Sequence, residues 1–194
     1  DFSNKINPIK TLSKDQNLAY SNINRSFKEK DVCLLHGVTS SGKTEIYIKL
    51  IQHEINKGNQ VLYLLPEIAL TIQIIKRLQN HFGDKVGVFH SNLNNSERVE
   101  VWKSIQGKCS VLLGVRSSVF LPFKKLGLVI VDEEHDSSYK QQQPSPRYNA
   151  RDSAIYLASL FNAKVLLGSA TPSVEAYYNA NTGKYGFVEL LKRY

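Results

Sequence analysis

Methionine is absent from this 194-residue chain, and cysteine occurs only twice. Cys33 and Cys109 lie in or beside separate apolar stretches, and neither belongs to a CxxC pair. This pattern argues against a disulfide framework and against a zinc site. It predicts two buried thiols, no zinc within this chain, and a reducing compartment such as the cytoplasm.

A long apolar segment is also lacking. No run approaches the roughly 18 consecutive apolar residues that suggest a membrane-spanning helix, so no membrane contact is expected. The first residues, DFSNK, are polar and lack the apolar core of a secretory signal. Because an initiator methionine is missing too, we expect the sequence to be a fragment of a longer protein.

Acidic residues are the minority charge. The chain has 17 Asp and Glu against 25 Lys and Arg, which gives a formal net charge of +8. Such a balance favours a polyanionic partner, nucleic acid first, although a basic surface that maintains solubility has the same composition. The hydrophobic content of 42% is sufficient at this length for one domain with its own core.

Apolar runs of strand length alternate with segments of helical spacing along most of the chain. Strands are predicted at residues 32–35, 61–65, 86–89, 110–115, 128–131 and 165–167. Helices are predicted at residues 13–29, 45–57, 68–82, 95–105 and 150–161, followed by a short helix after Val174 and a last apolar segment at 187–191. This alternation predicts an α/β fold, with a mainly parallel sheet flanked by helices on both faces. Ligands of such sheets bind beyond the carboxyl ends of the strands.

A glycine-bounded loop, GVTSSGKT at residues 37–44, joins the first predicted strand to a helix. The G-x-x-x-x-G-K-T spacing is typical of a phosphate-binding loop, whose backbone N–H groups and helix N-terminus attract the phosphates. Lys43 is predicted to reach the β- and γ-phosphates of ATP, and the Thr44 hydroxyl to bind Mg²⁺. The predicted nucleotide-binding residues of this segment are Gly37, Thr39, Ser40, Ser41, Gly42, Lys43, Thr44 and Glu45.

A second motif, VIVDEEH, brings acidic residues to the end of the fifth predicted strand. Asp132 is predicted to hold Mg²⁺ through water, and Glu133 to orient and deprotonate an attacking water molecule. His135 either couples the nucleotide site to neighbouring loops or caps a turn. Ser169 and Thr171 follow the sixth strand and are predicted to sense the acidic strand, although a Thr-Pro pair also simply begins a helix.

Gln16 has two interpretations. With Ser13 it forms the spacing of a helix capping box. Because it lies shortly upstream of the phosphate loop, it also suits a hydrogen bond to the edge of adenine.

Several polar segments are predicted to contact nucleic acid. Residues 136–151 interleave aromatic and basic side chains, a composition expected of a single-strand-binding segment, although a mobile surface loop is the alternative. Hydroxyls and an arginine near helix N-termini suit contacts with phosphodiesters, although each of them also suits capping or a surface ion pair. The predicted contacts are Thr71, Arg116, Ser117, Tyr139, Lys140, Arg147, Tyr148 and Arg151.

Together, the phosphate loop, the DEEH motif and the Ser-Ala-Thr turn at 169–171 resemble those of superfamily 2 helicases. The similarity is stronger still to the bacterial replication-restart helicases, through PEIALT at 66–71, RSSVF at 116–120 and RYNARD at 147–152. The resemblance implies the first RecA-like lobe, residues 12–194, of an ATP-driven DNA helicase that moves 3′ to 5′ and reloads replisomes at stalled forks. Residues 1–11 are then a linker or arm. The resemblance also implies that Gln16 reads adenine and that residues 139–151 form an aromatic-rich coupling loop.

The partners implied by the resemblance are single-stranded or forked DNA, an N-terminal DNA-binding domain and a second RecA-like lobe with a zinc insert. Primosome proteins and single-stranded DNA-binding protein follow from the same resemblance, as does association with the bacterial nucleoid. The isolated lobe is not expected to unwind DNA. The alternatives are a restriction-type translocase or an RNA helicase, a P-loop kinase or small NTPase, and a non-catalytic nucleic-acid-binding module.

Overall fold

The computed structural model describes residues 7–69 and 71–193. Within these ranges the chain alternates between helices and strands. The helices are α1 (Lys14–Ser26), α2 (Lys43–Asn56), α3 (Ile72–Phe82), α4 (Asn95–Ile105), α5 (Ala150–Leu160) and α6 (Val174–Asn181). The strands are β1 (Val32–Gly37), β2 (Gln60–Leu64), β3 (Val86–Phe89), β4 (Val111–Gly114), β5 (Leu126–Asp132), β6 (Lys164–Ser169) and β7 (Gly186–Leu190).

The strands form one seven-stranded sheet in the order β3-β4-β2-β5-β6-β1-β7. Every strand pairing in it is parallel. All carboxyl ends therefore meet at one edge, and β6 alone separates the end of β1 from the end of β5. The α/β prediction with a parallel sheet is confirmed, and the phosphate loop and the acidic motif are neighbours.

The sheet is covered on both faces because its central strands are apolar on both sides. Along β5, for example, Ile130 packs with residues of α1, α2 and α3, whereas Val129 and Val131 pack with residues of α4, α5 and α6. The resulting two cores hold the carboxyl edge rigidly between two layers of helix.

The helix predicted at 68–82 begins later than expected. A short 3-10 turn occupies Glu67–Ala69, and Thr71 is extended and stands as the N-cap of α3. Pro66 accounts for the change, because its carbonyl accepts from the Ala69 N–H and closes a tighter turn than an α-helix. The acidic strand is longer than predicted, since β5 includes Leu126 and Asp132.

Residues 1–6 of the predicted linker lie outside the described residues. Asn7 donates its backbone N–H to the carbonyl of Asn80 in α3. None of the helices in the described ranges combines the length and apolar character that crossing a membrane requires.

Candidate nucleotide and nucleic-acid site

The loop between β1 and α2 has the geometry of a phosphate cradle. Ser40 and Gly42 both have positive φ, of 62° and 83°, so the backbone turns sharply before α2 begins. A side chain at Gly37 would press against Lys43 and Ser41, with 3.0 Å to each. The Ser41 hydroxyl is buried and has no hydrogen-bond partner among the described residues. An unpartnered buried donor beside a helix N-terminus fits a phosphate group.

Lys43 and Thr44 are the first two residues of α2. The Lys43 ammonium donates to the carbonyl of Gly37 at 2.8 Å, so it folds back over its own loop. Thr39 and Ser40 are exposed at the tip of the loop. The predicted phosphate-binding residues are therefore brought together by this turn.

Gln16 and Glu45 are held by protein contacts beside the loop. Gln16 completes the capping box of α1 with Ser13, so that interpretation is confirmed, and its side-chain amide lies 3.4 Å from the carbonyl of Gly42. Glu45 is buried and accepts from Arg77 of α3 at 2.6 Å. Its carboxylate forms an ion pair between α2 and α3, and the predicted part of Glu45 in nucleotide binding stays a prediction.

Asp132 ends β5 on the face covered by α2. Its two carboxylate oxygens accept from the phenols of Tyr47 at 3.0 Å and Tyr63 at 3.1 Å. Burial, and then the charge of Glu133, raise the pKa of Asp132, while the Tyr47 hydrogen bond and the Lys43 charge act in the opposite direction. Because β6 alone separates β1 from β5 and Tyr47 of α2 bonds Asp132, the two predicted motifs lie close together at one edge of the sheet. Neither tyrosine was identified from the sequence, where both read as core residues of an apolar segment.

Glu133 and His135 turn towards the end of β6. Glu133 has a positive φ of 46°, which few non-glycine residues adopt. The Nδ1 atom of His135 lies 2.7 Å from the Ser169 hydroxyl and 3.8 Å from the Glu133 carboxylate. Its Nε2 atom lies 3.3 Å from the Thr171 hydroxyl. The three residues predicted to couple the acidic motif to the Ser-Ala-Thr turn, His135, Ser169 and Thr171, thus form one network with Glu133.

Glu134 is buried and ties the acidic motif to two helices. It accepts from Arg151 at the start of α5 at 3.0 Å, and from the backbone N–H and hydroxyl of Ser173 at 2.7 and 2.9 Å. Arg151 also contacts Asp152 and keeps only 12% of its side chain exposed. The prediction that Arg151 contacts nucleic acid is therefore wrong, because its guanidinium is held by this buried carboxylate. The role of Glu134 was missed because its partners are distant in the sequence.

Tyr139 is 1% exposed and lies in the core. Its hydroxyl donates to the backbone carbonyl of Asp132 at 2.6 Å. The prediction that Tyr139 contacts nucleic acid is wrong, since a ring without exposed area cannot stack on a base. Tyr139 instead fastens the segment after the acidic motif to the end of β5.

The rest of the predicted nucleic-acid segment is at the surface. Lys140 pairs with Asn149 in an isolated antiparallel bridge, so residues 140–149 form a narrow loop beside a cavity of about 540 Å³. Lys140 and Arg147 are exposed, whereas Tyr148 is half-buried and packs edge-on against Phe120, with ring centroids 4.9 Å apart. Phe120 itself is 62% exposed. Phe120 was not predicted as a nucleic-acid contact, although it is the aromatic residue of the RSSVF motif.

Arg116 and Ser117 follow β4 in a 3-10 turn. Arg116 donates to the carbonyl of Ser138 at 3.1 Å, which connects this turn to the acidic motif. A cavity of about 110 Å³ lies here, lined by Leu65, Glu67, Ser91, Val115, Arg116, Ser117 and Ser138. Thr71, four residues after Glu67, is exposed at the N-terminus of α3, and its side chain makes no capping hydrogen bond.

The family model described as DEAD/DEAH box helicase matches residues 13–179. Among curated proteins, the chain is 47% identical over 186 residues to the replication restart protein PriA of Chlamydia trachomatis, covering 94% of this chain and 25% of that protein. It is 43% identical over 192 residues to the replication restart protein PriA of Bacillus subtilis, covering 97% and 24%. The chain therefore spans about a quarter of the length of these relatives.

Among solved structures, the fold is similar to RecG bound to a three-way DNA junction, with a TM-score of 0.66 and 22% identity. The match covers 95% of this chain and 24% of that one. This structural similarity covers nearly the whole chain and agrees with the predicted RecA-like arrangement of parallel strands and helices.

Proposed function

We propose, because this chain belongs to the DEAD/DEAH box helicase family, that it is the first motor lobe of an ATP-hydrolysing DNA helicase that restarts stalled replication forks. The observation that carries the proposal is geometric: β6 alone separates the strand before the phosphate loop from the strand that ends at Asp132, and Tyr47 of α2 donates to the Asp132 carboxylate. The identity to replication restart proteins supports the choice of DNA and of fork restart over RNA or a restriction-type translocase. Because the chain spans about a quarter of its relatives' length, it is assigned one lobe of the motor. Residues 12–194 form that lobe.

The phosphate loop binds the triphosphate of ATP. Its N–H groups and the N-terminus of α2 neutralise the phosphates, and Lys43 leaves the Gly37 carbonyl for the β- and γ-phosphates. The unpartnered Ser41 hydroxyl gains an acceptor. Gln16, whose side-chain amide lies 3.4 Å from the Gly42 carbonyl, is assigned to the adenine edge.

Thr44 and Asp132 are the residues that would hold Mg²⁺, since hydroxyl and carboxylate oxygens are ligands that this ion prefers. The ion supplies positive charge that offsets the charge developing on the phosphates. Asp132 is kept ready as an acceptor by its two phenol donors.

Glu133 acts as the base that orients and deprotonates the attacking water. Its side chain is partly exposed at the carboxyl edge of the sheet, so its carboxylate is accessible to water. His135, Ser169 and Thr171 carry changes at Glu133 to the end of β6.

DNA, single-stranded or forked, binds across the loops beyond the other strands. Arg116, Ser117 and Thr71 contact the phosphodiester backbone, while Lys140, Arg147 and Tyr148 contact the strand at the cavity beside the 140–149 loop. Movement is 3′ to 5′, and unwinding requires the second RecA-like lobe and the N-terminal DNA-binding domain. Primosome proteins, single-stranded DNA-binding protein and a cytoplasmic, nucleoid-associated location complete the proposal.

The decisive measurement is ATP hydrolysis by the full-length protein with and without forked DNA, single-stranded DNA and RNA. Strong stimulation by DNA is expected in the wild type, and Glu133→Gln should lose turnover by about a hundredfold or more while nucleotide binding persists. Lys43→Ala is the matched variant that should lose binding itself. Equal hydrolysis with and without DNA would contradict the proposed DNA motor. Stronger stimulation by RNA than by DNA would indicate an RNA helicase instead.

A further inference from the structure

Two fully buried tyrosines from different elements hold the carboxylate of Asp132. Tyr47 lies one helical turn after Lys43 in α2, and Tyr63 lies in β2 next to β5. Both side chains have 0% exposure. Tyr47 donates to Oδ1 of Asp132 at 3.0 Å, and Tyr63 donates to Oδ2 at 3.1 Å.

The register of the strands explains how both phenols reach the same group. Ile130 and Asp132 point to the same face of β5, and Tyr63 is paired with Ile130 across the ladder. Tyr47 approaches from the helix above, and the two rings pack edge to face with centroids 5.6 Å apart. The two phenols are thus held by packing against each other as well as by their hydrogen bonds to Asp132.

Gly168 completes the arrangement from β6. A side chain there would overlap the Tyr47 hydroxyl and approach Oδ1 of Asp132 to 3.3 Å. The sheet therefore leaves room for the phenol directly beside the carboxylate. The absence of a side chain at Gly168 allows the Tyr47 hydroxyl to lie beside the carboxylate. Filling the core alone would not require a hydrogen-bond donor at this point.

We propose that Tyr47 and Tyr63 are positioning residues that fix the orientation of the Asp132 carboxylate for the magnesium–nucleotide complex. This inference rests on the proposed function. Oδ1 accepts from Tyr47 and also from the backbone N–H of Glu133 at 3.1 Å, whereas Oδ2 accepts from Tyr63 alone. Since a carboxylate oxygen has two lone-pair directions, Oδ2 retains one as an acceptor for the magnesium–nucleotide complex. Outer donors of this kind fix the geometry of an inner ligand and affect metal affinity.

The test is a magnesium titration of nucleotide binding in the full-length protein, followed with a fluorescent ADP analogue. Tyr47→Phe and Tyr63→Phe keep the rings and remove only the hydroxyls. The double variant should need about tenfold more Mg²⁺ for half-maximal tightening of nucleotide binding, and each single variant less than that. Nucleotide affinity in excess EDTA should be unchanged, because the phosphate loop is intact.

Tyr139→Phe is the matched control. It removes another buried phenol that bonds Asp132, but at the backbone carbonyl instead of the carboxylate. An equal magnesium shift in this control, or an unchanged requirement in the double variant, would overturn the proposal. Equal weakening with and without Mg²⁺ would overturn it as well, by showing a purely structural role. A wild type that binds nucleotide no better with Mg²⁺ would instead count against the proposed function.

Discussion

At the scale of single residues, the carboxyl edge of the sheet depends on glycines whose lack of a side chain lets a neighbouring side chain approach the backbone. Gly168 is such a place, because a methyl group there would meet the Tyr47 hydroxyl. Gly37 is another, since Lys43 and Ser41 close over it at 3.0 Å. These glycines are required by close approach, as both have ordinary φ angles, whereas Gly42 is required by its own positive φ.

Gly168→Ala should lower the free energy of unfolding by about 1–3 kcal/mol, because a methyl group in a well-packed sheet displaces the Tyr47 ring. Urea unfolding checks this value. Gly107→Ala is the control, since its nearest new contacts, at 3.8 and 3.9 Å, are ordinary. Equal stability of the two variants would show that Tyr47 moves aside without cost.

The two cysteines should resist alkylation in the folded protein. Both are free and buried; burial raises the pKa of Cys33 to about 11 and raises that of Cys109. Because the folded pKa lies above the unfolded one, the thiol contributes stability in full below about pH 9. That contribution declines as the pH rises towards 11. Iodoacetamide labelling at pH 8, read by mass spectrometry of peptides, should be slow in buffer and fast in urea; fast labelling of Cys33 in buffer would contradict its burial.

At the scale of elements, the pairing of Glu45 with Arg77 joins the helix that begins at the phosphate loop to the helix that begins at Thr71. The pair lies between the nucleotide and a candidate DNA contact. Arg77→Ala should therefore lower the stimulation of ATP hydrolysis by DNA more than basal hydrolysis. It should lower the free energy of unfolding by about 1–3 kcal/mol, because the buried Glu45 carboxylate loses its partner.

Lys57→Ala is the control for this prediction. It removes an ion pair of similar length, 2.7 Å to Glu54, that stays within the end of α2 and its following turn. If both variants change the stimulation ratio equally, the Glu45–Arg77 pair has no special part in communication between the helices.

The elements themselves were predictable because their signals are local. Alternating apolar runs and cap residues placed six of the seven strands and the six helices of the described chain to within a few residues, except the start of α3, where Pro66 closes a tighter turn. The seventh strand, β7, was predicted only as an apolar segment. Burial within a polar loop is not a local property. In the sequence, Tyr139 resembles a surface aromatic. Its burial becomes apparent only in the structure, where its hydroxyl donates to the carbonyl of Asp132 at the end of β5. Arg151 likewise looks free until Glu134 and Ser173 are brought beside it.

At the scale of the whole molecule, the surface loop at 140–149 is fastened to the nucleotide side at both of its ends. Tyr139 bonds the carbonyl of Asp132 before the loop, and Arg151 bonds Glu134 after it. Arg116 adds a third connection through Ser138. If DNA binds at the loop as proposed, its effect on the acidic motif is expected to pass through Tyr139 and Arg151.

The aromatic pair formed by Phe120, in the turn after β4, and Tyr148, in the 140–149 loop, is expected to contact DNA. Phe120→Ala with Tyr148→Ala removes the edge-on pair and its stacking surface, but leaves Tyr139 and Arg151 in place. Since stacking of a base contributes about 1–3 kcal/mol, we expect DNA to be needed at about tenfold higher concentration for half-maximal stimulation of ATP hydrolysis. Basal hydrolysis should be retained, because neither ring contacts the phosphate loop. Tyr156→Ala, an exposed aromatic on α5 with 68% exposure, is the control. An unaltered DNA requirement in the double variant would place the strand elsewhere on this edge, along Arg116 and Thr71.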